Sequence, residues 1–494
     1  MTEGDRNMQR KENEAVKKDD ITVIDLKTAR KAVFATSVGN AMEWFDFGIY
    51  SYLAVTLGKV FFPEMSNSVQ LIYTFATFSI AFIARPIGGL VFGMMGDRYG
   101  RKKVLTVTLI MMALSTLSIG LIPSYAAIGP TAALLLLAAR LVQGFSTGGE
   151  YSGAMTFLAE STPDKKRGVM TSSLEVGTLS GYIAGSGVVT LLTYFLSSEA
   201  MLSWGWRIPF LIAAPIGMIG FYLREHLEET PAFQAMKKKH QKEDKQVSIK
   251  EIFLYHLRPL IACAVIVCFF NLVEYLLLSY MPSHLSAVLG YGETEGLLLI
   301  LIVMFIMIPI VVLMGHFGDR IGNKRVVQIG LVGLILASIP AFFMIGSGNS
   351  ILVFTGLLVL AIFLSCFEGT VPSLLPSLFF TSVRYGGLAI TYNISVSLFG
   401  GTTPMVLAWL THATNDTMMP AYYMMAACVI GLIVMTFFVH NTSGKALRGS
   451  APAVVEEKEI KNIMDNPEKH YWWKEERRRI KKRVSKRKAR NKRK

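Results

Sequence analysis

The 494-residue chain is 52% hydrophobic and 17% charged, with a mean hydropathy of +0.43, values that exclude an ordinary soluble globular protein of this length. Its formal charge of +15 would suit a nucleic-acid binder, but the excess collects between Lys469 and Lys494, outside the apolar region, so it describes a tail and nucleic acid is not implied. Four cysteines, Cys263, Cys268, Cys366 and Cys428, lie inside apolar runs without paired or metal-ligand spacing and read as small core residues.

Residues 1–31 are charged and lack the apolar stretch and small-residue cleavage site of a signal peptide. From Ala32 to His440, apolar runs long enough to cross a hydrocarbon core of about 30 Å recur almost without interruption. They predict helices near 33–57, 69–95, 104–122, 131–158, 168–196, 207–224, 259–283, 297–317, 325–345, 351–378, 386–412 and 419–440. Lys and Arg collect in alternate connections, at Arg98–Lys103, Lys165–Arg167, Lys237–Lys250, Arg320–Arg325 and Arg384, which assigns these loops and both chain ends to the cytoplasmic side. Two ends on one side require an even number of spans, and twelve satisfies this. The expected organisation is a cytoplasmic segment 1–31, a six-helix bundle 32–224, a polar cytoplasmic linker 225–258, a second six-helix bundle 259–440 and a cytoplasmic basic tail 441–494.

One loop occurs twice. Gly93, Gly96, Asp97, Arg98, Gly100, Arg101 and Lys102 after the second predicted helix are matched by Gly315, Gly318, Asp319, Arg320, Gly322, Asn323 and Lys324 after the eighth. The glycines permit close approach and tight turning. The aspartates can cap a neighbouring helix end and the basic residues can pair with carboxylates, so both copies are candidates for a cytoplasmic gate. The change from Arg101 to Asn323 predicts a weaker latch in the second half; a plain positive-inside anchor is the competing reading.

Ionisable residues inside membrane spans are costly and mark pathways or partners. At 100° per residue, Asn40, Glu43, Asp46, Phe47 and Tyr50 share one face of the first helix, within about 120° of one another. Arg140, Gln143, Thr147, Glu150 and Tyr151 do the same in the fourth, as do Asn271, Glu274 and Tyr275 in the seventh. Glu175 and Glu368 add carboxylates in the fifth and tenth helices. The main intramembrane cations are Arg85 and Arg140, so carboxylates outnumber bases. Three polar stripes are therefore expected to converge on one cavity.

The repeated loop matches the glycine-aspartate-arginine signature of the major facilitator superfamily, and Arg140-Leu-Val-Gln143-Gly144 matches a further element of that superfamily. More narrowly, Gly39-Asn40-Ala-Met-Glu43-Trp44-Phe45-Asp46-Phe47, Gly148-Gly149-Glu150-Tyr151 and Gly205-Trp206-Arg207-Ile208-Pro209-Phe210 resemble the metabolite:proton symporters. Tyr280–Leu285, Thr391–Pro404 and Pro420–Met425 look most like bacterial proline/betaine transporters. The resemblance implies an all-α membrane protein with the major-facilitator fold, twelve transmembrane helices in two pseudo-symmetric six-helix bundles that rock about a central site. It further implies a multi-pass protein of the bacterial plasma membrane, serving osmoprotection and amino-acid transport by proton symport of glycine betaine and proline.

The excess of carboxylates fits a zwitterionic substrate better than an anionic one, which would call for a further unpaired base. Trp44, Phe47, Tyr50, Tyr275 and Tyr392 are candidate faces for a quaternary ammonium, although aromatics also serve packing and interfacial anchoring. Asn393 joins Tyr392 on the pathway. For the co-transported proton, the candidates are Glu43, Asp46, Glu150 and Glu274, with Glu43 or Asp46 favoured. A static pair with Arg140 remains open for Glu150, and bonding to neighbouring helices for Asp46.

Histidines, including His284, His316, His412 and His440, lack metal spacing, and no phosphate-binding loop or nucleophile motif is present, so neither cofactor, metal nor enzymatic activity is expected. The basic tail, with Trp472 and Trp473, is expected to lie against anionic membrane lipids, where rising salt would screen it. Two alternatives remain for the whole chain: a proton symporter of the same family for another metabolite such as an organic acid, and a non-transporting sensor built on the carrier fold.

Overall fold

The structure, a computed structural model, describes residues 21–99, 101–225 and 257–465, with the backbone alone at several positions including 93, 94, 96–99 and 101–106. The first helix, α1 (Leu26–Tyr52), starts earlier than hydropathy suggests. The Asp25 carboxylate accepts hydrogen bonds from the backbone N–H groups of Lys27 at 3.1 Å and Thr28 at 3.0 Å, satisfying donors that a helix start leaves open. After Leu53 the rod continues as Ala54–Phe61. The first half is completed by α2 (Asn67–Tyr99), α3 (Arg101–Leu121), α4 (Thr131–Ser161), α5 (Asp164–Phe195) and α6 (Arg207–Glu225). The second comprises α7 (Leu257–Val288), α8 (Glu293–Phe317), α9 (Asn323–Ile345), α10 (Ser350–Leu378), α11 (Arg384–Thr414) and α12 (Met419–Phe437).

Among the described residues, eight helices are long and apolar enough to cross a membrane, and nine if the bent pair Ser198–Gly205 and Arg207–Ile219 counts as one. The difference from twelve has physical causes. The stretch Glu293–Ile345 holds two rods, divided at Gly322, whose φ of 103° suits glycine. In α3 the apolar part is the shorter Val107–Leu121, and α1 carries Glu43 and Asp46 in its buried half, which lowers its hydropathy.

Packing repeats between the halves. In the first, α1 lies along α5, α2 along α4 and α3 along α6; in the second, α7 lies along α11, α8 along α10 and α9 along α12. Across the middle, α2 meets α11 and α5 meets α8, which are equivalent contacts under the same exchange of halves. A Cβ on Gly144 would strike the carbonyl of Ala81, and one on Gly88 would strike that of Phe145. These glycines let α2 and α4 approach closely, and Arg85 on α2 and Arg140 on α4 both lie against the Phe47 ring in the interior. Large apolar side chains such as Leu336, Phe343, Ile351 and Phe437 are exposed on the outside, as expected where the surrounding solvent is lipid.

The two ends of the described chain meet on one face. Strand β1 (Thr22–Val23) pairs in parallel with β2 (Ala453–Val454), and Ile21, Val454, Ile460 and Ile463 close a small apolar cluster beneath the helix α13 (Glu457–Asp465). Residues 441–465, read from sequence as the start of a tail, are therefore packed structure. Their order depends on a partner strand, Thr22–Val23, far away in sequence that a local reading does not supply. The basic run Lys469–Lys494, the segment 1–20 and residues 226–256 of the linker lie outside the described residues.

Candidate functional site

At the centre, aromatic rings from both halves form a continuous group. Trp44 on α1 lies with its ring centroid 5.2 Å from that of Tyr182 on α5, 5.8 Å from Tyr275 on α7 and 6.4 Å from Tyr151 on α4. Tyr151 in turn stacks on Tyr392 of α11 at 4.9 Å. All five side chains are buried. Their hydroxyls are directed: Tyr151 donates to Glu175, Tyr392 donates to Asn271 Oδ1 at 3.3 Å, and Tyr182 shares a 3.1 Å hydrogen bond with Ser279. Such a group presents ring faces, which attract a cation, while the hydroxyls of Tyr151, Tyr182 and Tyr392 are held by hydrogen bonds and Trp44 Nε1 and the Tyr275 hydroxyl have no hydrogen-bond partner among the described residues.

Two ionic arrangements adjoin the rings. Arg85 on α2 donates from Nη2 to Glu43 Oε1 at 3.0 Å, with both side chains essentially inaccessible. The guanidinium carbon lies 5.2 Å from the Phe82 ring centre and 5.6 Å from that of Phe47. The second arrangement joins Asp46 to Arg140 through neutral side chains. Asp46 Oδ2 accepts from Thr116 on α3 at 2.8 Å, the Thr116 hydroxyl accepts from Gln143 Nε2 at 2.8 Å, and Gln143 Oε1 accepts from Arg140. Arg140 also donates to the carbonyl of Phe78 at 3.2 Å and packs 4.3 Å above the Tyr50 ring. Charge separated by two hydrogen-bonded groups is compensated less completely than in a direct pair.

The stripes read from periodicity reach these places unevenly. On α1, Glu43 and Asp46 reach different partners, whereas Asn40 turns to α5, donating to the Leu174 carbonyl at 2.8 Å and to Thr178 at 2.7 Å. Phe47 and Tyr50, expected as cage faces, pack against the arginines. On α4 the helix breaks at Gly148 and Gly149, so Arg140 and Gln143 serve the Asp46 network while Tyr151 serves the ring group. Glu150 is buried and lies within electrostatic range of Asp46. Asn271 supports Tyr392, and Asn393 donates to the carbonyls of Gly148 and Ala389, tying α11 to α4. Glu274 and Glu368 are buried, with Glu274 Oε1 and both Glu368 oxygens lacking a hydrogen-bond partner among the described residues. Sequence reasoning named Arg85 and Glu175 without giving them roles, and it missed Thr116, Tyr182 and Ser279. Only the polarity of Tyr182 and Ser279 within apolar runs signals them.

The face that carries the chain ends is closed by contacts between halves. Asp319, in the second copy of the repeated loop, accepts from the backbone N–H groups of Gly168 at 2.7 Å and Val169 at 2.9 Å. Gly168 and Gly315 meet so closely that a Cβ on Gly315 would lie 2.9 Å from the Gly168 carbonyl oxygen. Arg384 pairs with Glu160 at 2.6 Å and donates to the Arg448 carbonyl at 2.9 Å, while Arg167 donates to that of Lys445 at 3.0 Å. Arg320 is exposed, Gly322 makes the turn, and Asn323 bonds within its own half, donating from Nδ2 to Ser373 at 2.6 Å. In the first copy, Gly100 and the side chains of Asp97, Arg98, Arg101 and Lys102, with the surroundings of Gly93, lie outside the described residues. On the opposite face the halves also touch, through Thr56 and Glu293 at 3.4 Å and through Thr193 and Thr294 at 3.2 Å. Among the described residues, the halves thus touch on both faces.

An all-helical bundle with equivalent halves and charged groups enclosed between them defines a membrane carrier. Residues 36–401 match the Major Facilitator Superfamily, and the chain belongs to that superfamily of membrane transporters. The proline/betaine transporter of Salmonella typhimurium is 48% identical over 464 residues, covering 92% of each chain, and that of Escherichia coli is 47% identical over the same length and coverage. Among solved structures, the proton:xylose symporter XylE bound to 6-bromo-6-deoxy-D-glucose matches with a TM-score of 0.71 at 18% identity, over 85% of this chain and 98% of that one. The partially occluded inward-open form of the xylose transporter XylE from E. coli matches with a TM-score of 0.66 at 19% identity, over 85% of this chain and all of that one. At such identities the solved structures establish the fold.

Proposed function

We propose that this chain is a proton-coupled symporter that imports small zwitterionic osmolytes, glycine betaine and proline, across a bacterial cell membrane by alternating access. The names of the relatives at 47% and 48% identity support the substrate class. The observation that carries the reading is the ring group of Trp44, Tyr151, Tyr182, Tyr275 and Tyr392, built from both halves and continuing through Phe82, 5.4 Å from Tyr275, to Arg85. Ring faces suit the ammonium end of a zwitterion and a guanidinium suits its carboxylate.

The bundles 32–224 and 259–440 act as the moving bodies. Parting the contacts at Asp319 and Arg384 opens the site toward one side, and parting those at Glu293 and Thr294 opens it toward the other. The alternate clusters of Lys and Arg assign the chain ends, and hence the first of these faces, to the cytoplasm. The repeated loop is the cytoplasmic gate on this reading. A proton is the co-transported species, taken up at Glu43 or Asp46, and no cofactor is needed. The tail Lys469–Lys494 lies on anionic lipid, each basic residue near the surface contributing about 1 kcal/mol. Salt screening of that attachment links transport to osmolality.

Uptake of radiolabelled glycine betaine and proline into cells lacking other osmolyte carriers tests the reading. Concentrative uptake that each osmolyte inhibits, that dicarboxylates leave unaffected and that rises on osmotic upshift is the expected result. Inhibition by dicarboxylates instead, with no osmolyte uptake by intact protein, would move the substrate to organic acids.

A further inference from the structure

Arg85 has an incomplete set of partners. It is 1% exposed, yet among the described residues its side chain donates from Nη2 to Glu43 while Nε has no hydrogen-bond partner. A guanidinium carries five N–H donors, and a buried one is normally satisfied more fully. Phe82 and Phe47 flank it at 5.2 Å and 5.6 Å, which leaves a ligand the edges of the group. Phe82 leads directly to Tyr275 and so to Trp44, the centre of the ring group.

We propose that Arg85 is the carboxylate subsite and that Glu43 is its internal stand-in, displaced by the carboxylate of the arriving substrate. This inference rests on the zwitterion reading given above. In the empty carrier the pair is neutral. When the substrate carboxylate takes Arg85, the Glu43 carboxylate is left buried without its cation, and burial of an unpaired charge is costly. Glu43 therefore takes one proton from solution and becomes a neutral carboxylic acid. Substrate adds no net charge, so the loaded site carries one positive charge more than the empty one, that of the proton. Release reverses each step: the substrate carboxylate leaves Arg85, Glu43 returns to it, and the proton departs. One proton moves with each zwitterion, and coupling follows from competition for one guanidinium.

Other ionisable groups surround the pair. Tyr275 and Glu274 face it from α7 and Tyr392 from α11, Arg140 and Glu150 lie on α4, Glu175 lies on α5, and Asp46 follows Glu43 by one turn on α1. The displacement is specific to a ligand that carries a carboxylate, and this separates Glu43 from all of them.

Equilibrium binding of radiolabelled glycine betaine and of choline to the purified full-length protein, measured between pH 6 and 8, tests the inference. Choline has the same quaternary ammonium but no carboxylate. For glycine betaine, uptake of one proton on binding weakens apparent affinity about tenfold per pH unit as pH rises. Choline affinity should stay flat across the range. In Glu43→Gln, glycine betaine should bind more tightly than to the wild type at pH 8, with no pH dependence, and proton-driven accumulation should be lost. The choline comparison needs no variant and stands even if Glu43→Gln does not fold. Equal pH dependence for both ligands would overturn the inference and place proton uptake at a group the carboxylate does not displace, such as Asp46. Failure of intact wild-type protein to bind glycine betaine or proline at any pH would instead remove the substrate reading itself.

Discussion

The two halves meet by different chemistry at the centre and at the face that carries the chain ends. At the centre, rings stack across the interface and charges pair mainly within the first half, Glu43 with Arg85 and Asp46 with Arg140 through Thr116 and Gln143. At the chain-end face, side chains of one half bind the backbone of the other, as Asp319 does at Gly168 and Val169. Ring contacts are non-directional and can part to accept a ligand once the few cross-half bonds at the centre, such as Tyr182 to Ser279 and Asn393 to the Gly148 carbonyl, let go. A carboxylate on two N–H groups holds one geometry or none, so it suits a latch. On the proposed reading, ligand and proton are taken up at the centre and the conformational state is held at the face.

Replacing Arg85 by Ala should have the largest effect. It leaves Glu43 buried without its cation, a change that costs about 3 to 5 kcal/mol. Uptake should fall below detection and thermal unfolding should occur at lower temperature, whereas Arg85→Lys should restore folding more than transport. Asp319→Ala comes next. Hydrogen bonds to a charged group are worth about 1.5 to 3 kcal/mol, so loss of this latch should favour the form open at the chain-end face by about tenfold or more. The labelling rate of a cysteine introduced at Thr391, in protein freed of native cysteines, reports that shift; an unchanged rate would remove Asp319 from the gate.

Smaller effects distinguish the ring group from ordinary packing. Tyr392→Leu should weaken glycine betaine binding by an amount matching about 0.5 to 2 kcal/mol of cation–π attraction, while an uncharged competitor of similar size should be unaffected. The least effect is expected at the rim. Lys165 bonds Glu459 at 2.6 Å, but the lysine side chain is 55% exposed, so the pair contributes about 1 kcal/mol or less. Burial pushes the Glu459 carboxyl up, and the hydrogen bond and charge of Lys165 outweigh it, leaving the carboxyl below its ordinary value. Stability from a depressed acid is fully present above its unfolded value of about 4.3 and is lost as pH falls through the lower folded value. Glu459→Gln should therefore leave the pH profile of transport unchanged near neutrality and reduce stability slightly.

Much of the fold is legible because lipid imposes long apolar runs and the repeated loop marks the halves. Asp319 was readable from that loop, since an aspartate beside glycines at a helix junction commonly caps a helix start. Helix periodicity likewise selected Glu43, Asp46, Arg140 and Gln143. Partner choice was not legible: nothing within α1 tells that Asn40 faces α5 while Glu43 finds α2, because helix-to-helix pairing is set by distant close contacts such as Gly144 on Ala81. The same limit hid the Thr116 link and the docking of Ala453–Val454 on Thr22–Val23. The placing of the aromatics is set at the same level, and Phe47 also lies 6.2 Å from Trp44. Phe47 and Tyr50 share a helix face with the charged residues, and only the packed structure shows them covering arginines while Tyr151 and Tyr182 enter the ring group.

Proton-coupled zwitterion symport is tested most directly by glycine betaine uptake into proteoliposomes containing the full-length protein, with an imposed pH gradient, acidic outside, and the membrane potential clamped at zero. Symport predicts accumulation above the external concentration that collapses when a protonophore is added. Uptake that only equilibrates, at the same rate with and without the gradient, would contradict it.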